Sequence, residues 1–329
     1  MSRSPPHPYA ELSPDRILDA IESLGLVPDG HLLALNSYEN RVYRVGLEDA
    51  PPVVAKFYRP GRWSDVQIDE EHVFTAELAA HEIPAVPPIA IGGRWQHYFE
   101  GFRFALTPMR GGREPELDDP EVLEWLGRYM GRIHAVGATT RFGARPTLDI
   151  ESFGKGPSAF LLEGGWLPPD LEAAYRATLA QALEVIHACY AEAGAVTCIR
   201  LHGDCHRGNL LWTDAGPHFV DFDDARLGPA VQDLWMLLSG NRQEMSQQLG
   251  CVLAGYEAFQ PFDYRELHLI EALRTLRLIH FSAWLARRWD DPAFPPAFPW
   301  FDTHHYWQGQ ILQLQQQIVA MQEGPLWRF

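Results

Sequence analysis

The chain has only four cysteines among its 329 residues, and no two of them form a C-x-x-C pair. A disulfide-stabilised secreted scaffold or a zinc ribbon needs denser and more regular cysteines. Basic residues are also scarce, with 27 Lys and Arg against 43 Asp and Glu and a formal net charge of -16. Such a charge opposes sequence-independent binding of nucleic acid and docking on anionic lipid. We therefore expect a reducing cytoplasm as the location, and neither nucleic acid nor membrane as a partner.

Long apolar runs and internal repeats are missing as well. No stretch of about 18 apolar residues is present to span a bilayer, and the N-terminal segment MSRSPPHPYAELSP lacks the apolar centre of a signal peptide. The composition is that of a globular protein, with 46% hydrophobic and 21% charged residues. Because 329 residues exceed the usual size of one hydrophobic core, we expect a soluble protein with two lobes, and we expect a monomer.

Sequence periodicity divides the chain into a strand-rich part and a helical part. Residues 1–10 are rich in Pro and Ser and are expected to fray, and Ser13-Pro14 has the pattern of an N-cap followed by a first helical residue. Strands are predicted at 31–35, 41–45, 53–57, 88–91 and 102–106, with helices at 65–81, 119–134, 171–192, 230–248, 264–289 and 305–322. The order predicts an α+β bilobal fold, with an N-lobe at 1–107, a hinge at 108–118 and a helical C-lobe at 119–329.

The segment LHGDCHRGNLLWTDAGPHFVDFDD, residues 201–224, carries the strongest functional signal. Asp204 precedes Asn209 by five residues, the D-x-x-x-x-N spacing of a kinase catalytic loop in which Asp orients the attacking hydroxyl and Asn holds a metal ion. Asp221 ends a short apolar run, and the chain can return by a hairpin that places this residue beside the loop. We therefore predict that Asp204 and Asp221 are catalytic and that Asn209 and Asp221 bind metal.

Phosphoryl transfer explains these residue types. It requires little covalent work from the protein and much positioning of charge around a metal ion and a triphosphate. Magnesium prefers oxygen ligands and keeps few protein groups, so one Asp, one Asn and the nucleotide phosphates suffice. We expect Mg²⁺ as the cofactor and ATP as the co-substrate.

Several long motifs resemble the aminoglycoside phosphotransferase and choline kinase superfamily. His202-Gly203-Asp204 with Asn209 is similar to its HGD-x-x-x-x-N loop. LNSYENRVYRV, VAKFYRP, LHGDCHRGN, GPAVQDLWMLL and RRWDDPAFPPAFPW resemble, more closely, the bacterial stress response kinase A family. The resemblance covers nearly the whole chain. It implies a protein-kinase-like fold and a serine or threonine acceptor in proteins during a stress response.

Lys56 lies in VVAKFY, which resembles the V-A-I-K strand whose lysine neutralises nucleotide phosphates. A glutamate of the next helix is expected to hold this lysine, and both Glu70 and Glu71 are available. Glu71 is preferred, since Phe74 and Leu78 follow it at i+3 and i+7 on the face that packs inward. The alternative is a solvated acidic helix start.

The turn Asn36-Ser37-Tyr38-Glu39-Asn40 stands where protein kinases have G-x-G-x-x-G, a motif that the chain lacks. Ser37 is the candidate phosphate contact through its hydroxyl or backbone N–H. A plain polar hairpin turn explains the spacing almost equally well, and the resemblance favours the nucleotide contact. Residues 107–110 would form the hinge that faces adenine.

Other polar residues have structural explanations. His134 ends an amphipathic helix that resembles the superfamily's L-G-x-x-L-x-x-L-H helix, and we expect it to be a hydrogen-bonded core residue. Asp233 resembles the carboxylate that braces the kinase catalytic loop through backbone amides. Asp223 shares a face with Asp221 if the segment is extended, while Asp224 points away. The role of Asp223 stays open.

A zinc site and an aromatic cluster that lines the substrate side of the helical lobe are two further possibilities. His202, Cys205 and His206 are too few and too close in sequence for a zinc site. The aromatic cluster between Trp284 and Phe301 is expected to pack in the core with Arg287 and Arg288 covering it.

The catalytic residues do not identify the acceptor. A kinase for serine or threonine of proteins is the leading hypothesis, and a small-molecule kinase for choline, homoserine, sugars or aminoglycosides is the alternative. A pseudokinase that binds nucleotide and signals by conformation is opposed by the intact set of Lys56, Asp204, Asn209 and Asp221.

Overall fold

The computed structural model describes residues 7–326, which form two compact units. The first unit contains the residues up to Pro115 together with Gly208–Asp223, and the second contains Glu116–Arg207 and the chain from Asp224 onward. The sequence prediction had kept residues 208–223 with the helical lobe. A functional division into lobes at 1–107 and 119–329 with a hinge between them stays a prediction.

The elements alternate between strands and helices in the first part of the chain and are mostly helical afterwards. The first part contains α1 Pro14–Glu22, β1 Pro28–Ala34, β2 Arg41–Leu47, β3 Val53–Phe57, α2 Asp65–Ala80, β4 Gln96–Phe99 and β5 Phe102–Pro108. There follow α3 Pro120–Gly137, α4 Gly156–Glu163, α5 Pro169–Ala193, β6 Ile199–Leu201, β7 Leu210–Thr213, β8 Gly216–Phe219, β9 Arg226–Gly228, α6 Val231–Trp235, α7 Arg242–Tyr256, α8 Ile270–Arg287, α9 Phe294–Ala297 and α10 His304–Gln322. This order of elements confirms the predicted α+β class.

An antiparallel sheet of five strands in the order β1-β2-β3-β5-β4 forms the centre of the first unit. Buried and half-buried residues alternate along β3, as expected for a strand with two different faces. Lys56 therefore projects from the opposite face to Phe57, which stacks on Phe104 in the buried core at a centroid separation of 5.2 Å. The sheet thus directs one cation away from the apolar core.

The N-terminal helix begins as the sequence predicted, because the Ser13 side chain accepts a hydrogen bond from the Arg16 N–H. Order starts earlier than expected, however. Tyr9 is buried, and its hydroxyl donates a hydrogen bond to the Phe57 carbonyl at 3.1 Å. An aromatic ring that fills the core opposes fraying of its own segment. Residues 1–6 of the stretch that was expected to fray lie outside the described residues.

One strand of the small sheet was predicted wrongly. Residues 88–91 form no strand, and the edge strand is β4, residues Gln96–Phe99. Two prolines at 87 and 88 explain the error, since proline cannot donate to a sheet ladder.

The second unit is built mainly from helices that pack closely through glycines. A Cβ on Gly127 would overlap the Val252 carbonyl oxygen of α7, and one on Gly131 would overlap that of Tyr256. Only glycine permits this approach of α3 to α7. The predicted helix 230–248 is interrupted at Met236–Asn241. Gly240 has a positive φ of 91°, and the Asn241 side chain caps α7 together with Glu244, so the chain restarts a helix there.

The aromatic cluster between Trp284 and Phe301 lies only partly in the core, since Trp284, Trp289 and Phe298 are half-buried and Trp300 is exposed. Phe294 and Phe301 are fully buried, and the Arg288 guanidinium lies 5.5 Å from the Trp284 ring centre. No helix within residues 7–326 has the length and apolarity that crossing a membrane requires.

Candidate active site

Lys56 is the centre of a cluster of three carboxylates in the first unit. Its Nζ lies 3.2 Å from Glu71 Oε1, 3.2 Å from Asp221 Oδ1 and 3.0 Å from Asp223 Oδ1. The side chains of Lys56 and Glu71 are 12% and 7% exposed, whereas that of Asp221 is half exposed. The cluster thus has a buried side and an open side.

Burial acts to lower the pKa of Lys56, but Asp223, Glu71 and Asp221 together overcome that effect. The pKa of Lys56 is therefore raised well above its usual value. The lysine stays charged at every physiological pH, as a phosphate-binding group requires.

Glu71 is buried on α2, whereas its neighbour Glu70 is only half-buried. Ser64 starts this helix with a capping box that includes Gln67, which fixes the phase of the residues that follow. The structure thus brings Glu71, the residue preferred from sequence, to Lys56.

A second group of charges connects Asp223 to the turn between β1 and β2. Arg62 binds the Asp223 carboxylate and also lies 3.7 Å from Glu39 Oε1. Arg59 approaches the same Glu39 oxygen at 3.1 Å, and its backbone N–H donates to the Asn40 side chain at 3.1 Å. The turn at 36–40 is thereby held to the loop that follows β3.

Asp221 adopts the left-handed conformation with a φ of 58°, which is uncommon for a residue other than glycine. It follows β8, the second strand of a hairpin with β7 that also positions Asn209, whose carbonyl accepts from Val220 N–H at 3.1 Å. Residues 222–224 form a tight helical turn and not the extended segment that was predicted. Asp221 and Asp223 nevertheless reach the same lysine, and Asp224 pairs with Arg226 at 2.5 Å.

A cavity of about 350 Å³ opens beside this cluster. All residues predicted to contact nucleotide or metal from this unit line it, as do all four residues of the predicted adenine hinge. They are Ser37, Lys56, Glu71, Asn209 and Asp221, with Thr107, Pro108, Met109 and Arg110. The volume lies within the range of small-molecule binding sites. The five predicted contact residues and the predicted adenine hinge therefore line a single cavity. The role of each residue stays a prediction.

The donors in the cavity suit magnesium. Asp221 presents a half-exposed carboxylate, and Asn209 adds an amide that lines the same space. Magnesium binds through one or two such oxygen donors and completes its shell with water and phosphate. Within residues 7–326 no group of three His, Cys, Asp or Glu residues is arranged to hold a metal ion.

The loop that carries Asp204 belongs to the second unit. Asp204 is partly exposed, its Oδ1 lies 2.6 Å from Arg277 Nη1, and its Oδ2 lies 3.6 Å from His206 Nε2. Arg277 comes from α8, 73 residues further along the chain than Asp204. The structure thus places a cation directly on the predicted catalytic carboxylate.

Asp233 braces this loop, as predicted. Its two oxygens accept hydrogen bonds from the backbone N–H groups of His202 and Gly203, both at 2.9 Å. Its Oδ2 also lies 3.1 Å from Nε2 of His134, which is fully buried. Gly203 has a φ of 85°, and a Cβ there would overlap the Asp224 carbonyl oxygen. The loop conformation is therefore fixed by a buried carboxylate and by a glycine.

Cys205 is buried in the same loop and lies 3.7 Å from the Met130 sulfur. Burial first, and then the charges of Asp233 and Asp204, raise its pKa well above the usual range of a thiol. A protonated thiol in apolar packing is the opposite of a zinc thiolate.

A family model described as "Phosphotransferase enzyme family" matches residues 31–270. The chain belongs to this family. The match includes both the Lys56 cavity and the Asp204 loop.

Curated relatives of this phosphotransferase extend the match over nearly its whole length. "Stress response kinase A" of Escherichia coli strain K12 is 44% identical over 318 residues, covering 97% of this chain and 96% of the relative. "Serine/threonine protein kinase RdoA" of Salmonella typhimurium strain LT2 is 43% identical over the same shares. The resemblance stated from sequence motifs is thereby confirmed.

Solved structures confirm the protein-kinase-like fold. The amicoumacin kinase hAmiN, in complex with AMP-PNP, Ca²⁺ and Ami, has a TM-score of 0.73 at 18% identity and covers 96% of both chains. Choline kinase from Cryptosporidium parvum Iowa II has a TM-score of 0.62 at 12% identity, covering 94% of this chain and 97% of its own. At these identities the likeness shows the fold alone.

Three charged residues of the site were missed from sequence. Arg62 and Glu39 link the polar turn to Asp223, and Arg277 pairs with Asp204. The charge pattern near residues 59–62 was a usable signal, since two arginines follow directly on the Lys56 strand. No local sequence pattern indicates the pair of Arg277 and Asp204, because the pair forms only through tertiary packing.

Proposed function

We propose that the chain is an ATP- and Mg²⁺-dependent kinase that transfers the γ-phosphoryl group to serine or threonine hydroxyls of proteins in a cytoplasmic stress response. The observation that carries the nucleotide part is the ion pair of Lys56 with Glu71 in a cavity that Asn209 and Asp221 also line. The protein acceptor and the stress response rest on relatives of 43% to 44% identity and on their names.

In this proposal Lys56 neutralises phosphate oxygens, and Glu71 keeps its ammonium in place. Ser37 offers a hydroxyl and the backbone of its turn to the same phosphates. Asn209 and Asp221 would hold Mg²⁺, which would neutralise charge on the triphosphate.

Asp204 orients the acceptor hydroxyl and takes its proton. The hydroxyl oxygen forms a bond to the γ-phosphorus while the bond from that phosphorus to the β,γ-bridging oxygen breaks, and ADP leaves with the electron pair. The proton passes to the Asp204 carboxylate. The spacing of five residues between Asp204 and Asn209 supports this division of work between acceptor and metal.

The test is transfer of label from γ-labelled ATP into a lysate of the source cell, followed by separation into protein and small-molecule fractions. The proposal expects label on protein as phosphoserine or phosphothreonine, and none with the Asp204→Asn variant. Label confined to small molecules would replace it with a small-molecule kinase, and no transfer despite ATP binding would indicate a pseudokinase.

The proposal extends to the location and the assembly of the protein. The four cysteines are free thiols, consistent with a reducing cytoplasm. We expect the purified protein to elute at the mass of one chain, 37.3 kDa. Elution at twice that mass would refute the monomer.

A further inference from the structure

Arg277 stands at the surface beside the carboxylate that is expected to receive the acceptor. Its Nη1 lies 2.6 Å from Asp204 Oδ1, and its side chain is 37% exposed against 21% for Asp204. An acceptor that brings a hydroxyl to Asp204 must therefore approach within contact distance of this guanidinium.

The partners identified for the Asp204 carboxylate are basic residues. Arg277 contacts Oδ1, and Nε2 of His206 lies 3.6 Å from Oδ2. Arg277 is the one of the two that carries a permanent positive charge.

Arginines also act on the next turn of α8. His280 is half-buried, and burial is the largest cause that lowers its pKa. The charges of Arg226, Arg287 and Arg277 lower it further against the opposing Asp224, to about 3, so His280 is neutral.

We propose that Arg277 is a specificity-determining residue that selects acceptors with an anionic group next to the reacting hydroxyl, such as a serine or threonine flanked by acidic residues. This inference rests on the proposed kinase activity and specifies its acceptor. The anion takes the guanidinium from Asp204, which frees Oδ1 at the moment when the hydroxyl needs that carboxylate. A cationic acceptor meets like charge at the same point and leaves the ion pair of Asp204 intact.

Two other roles of Arg277 predict different results. If it only ties α8 to the catalytic loop, its removal changes turnover of all acceptors in the same proportion. If it only blocks Asp204, its removal raises turnover of all acceptors in the same proportion. The ratio of rates between acceptors of opposite charge separates selection from both.

The experiment uses the full chain and three peptides that share one sequence around a central serine flanked by Glu, Gln or Lys. Wild type is expected to prefer the Glu peptide over the Lys peptide by about tenfold or more in kcat/KM, the effect of one charged contact. Arg277→Gln is expected to bring that ratio close to one, and Arg277→Lys to retain most of it. Circular dichroism checks that each variant is folded.

Arg176→Gln is the matched control. Arg176 is an exposed arginine of α5 that pairs with Glu172 at 2.8 Å, and its loss changes the net charge by the same amount. Its ratio should equal that of wild type. A ratio that Arg277→Gln leaves unchanged, or a wild-type preference for the Lys peptide, overturns the inference.

Failure of the proposed protein acceptor can be told apart from failure of the inference. If wild type phosphorylates none of the peptides, the protein acceptor is refuted, and glycerate, glycerol and choline then serve as anionic, neutral and cationic hydroxyl acceptors. Preference for glycerate that Arg277→Gln abolishes supports the inference. Preference for choline, or no transfer to any of the six compounds, contradicts it.

Discussion

Replacement of Glu71 by Gln tests the arrangement around Lys56 most selectively. The change keeps the shape of the side chain and removes one of the three carboxylates near the ammonium. Asp221 and Asp223 remain at 3.2 and 3.0 Å, so the lysine is not left as an uncompensated buried charge. The cost should therefore stay below the roughly 3–5 kcal/mol of a broken buried ion pair.

The expected magnitude is that of one hydrogen bond between charged groups. Such a bond contributes about 1.5–3 kcal/mol, and the two side chains are only 7% and 12% exposed, so solvent screens it little. Because each 1.36 kcal/mol is a factor of ten in rate, we expect kcat/KM for ATP to fall about 10- to 150-fold.

The assay is steady-state kinetics with varied ATP, together with thermal unfolding. Glu70→Gln is the matched control on the same helix, and since Glu70 is not one of the three carboxylates that contact Lys56, its kinetics should stay within about twofold of wild type. Lys56→Ala should reduce the rate at least as much as Glu71→Gln, and the double variant no further, because the glutamate acts only through the lysine. A silent Glu71→Gln beside a damaging Glu70→Gln would refute this reasoning.

Three further predictions concern metal, loop and pH. Asp221→Ala should raise the magnesium concentration needed for half-maximal turnover by about tenfold or more without unfolding the chain, and wild-type turnover at ordinary magnesium would contradict it. Asp233→Ala should lower both turnover and the melting temperature, by about 3–5 kcal/mol in stability, because two buried loop amides lose their acceptor. Burial raises the pKa of Glu266 to about 7 against the opposing hydrogen bond from the Val231 N–H. A raised carboxyl pKa stabilises the fold fully below its unfolded value near 4.5, and this contribution is lost as pH rises through 7. Glu266→Gln should therefore flatten the dependence of melting temperature on pH between 4.5 and 8, and an unchanged slope would contradict the assignment.

Local sequence patterns predicted the elements that carry the site. Strand β3 was predicted with its true bounds, since the short apolar run around Lys56 is bounded by prolines at 51, 52 and 60. The phase of α2 distinguished Glu71 from Glu70 because a helix of 16 residues keeps its period. The bracing role of Asp233 was implied by the resemblance to kinases, and it agrees with the need of a buried carboxylate for hydrogen-bond donors.

Tertiary interactions explain what the sequence did not reveal. Tyr9 is ordered because its ring fills the core beside Phe102, at a centroid separation of 6.3 Å, and no local pattern near residue 9 indicates that contact. The break between α6 and α7 depends on Gly240 and the Asn241 cap. The apolar pattern continues through this point and therefore predicted one uninterrupted helix. Arg277 reaches Asp204 from a helix 73 residues away, and its charge partner was not predictable from spacing.

One variant tests the proposal that Asp204 serves the acceptor hydroxyl while the Lys56 cavity binds ATP. For Asp204→Asn, ATP affinity is measured beside single-turnover transfer from labelled ATP. We expect an ATP affinity close to that of wild type and a fall in transfer of about 10²–10⁴-fold, because the amide keeps the shape but loses the charge and basicity. Retained transfer would remove Asp204 from the mechanism, and lost ATP affinity would make it a nucleotide or metal ligand instead.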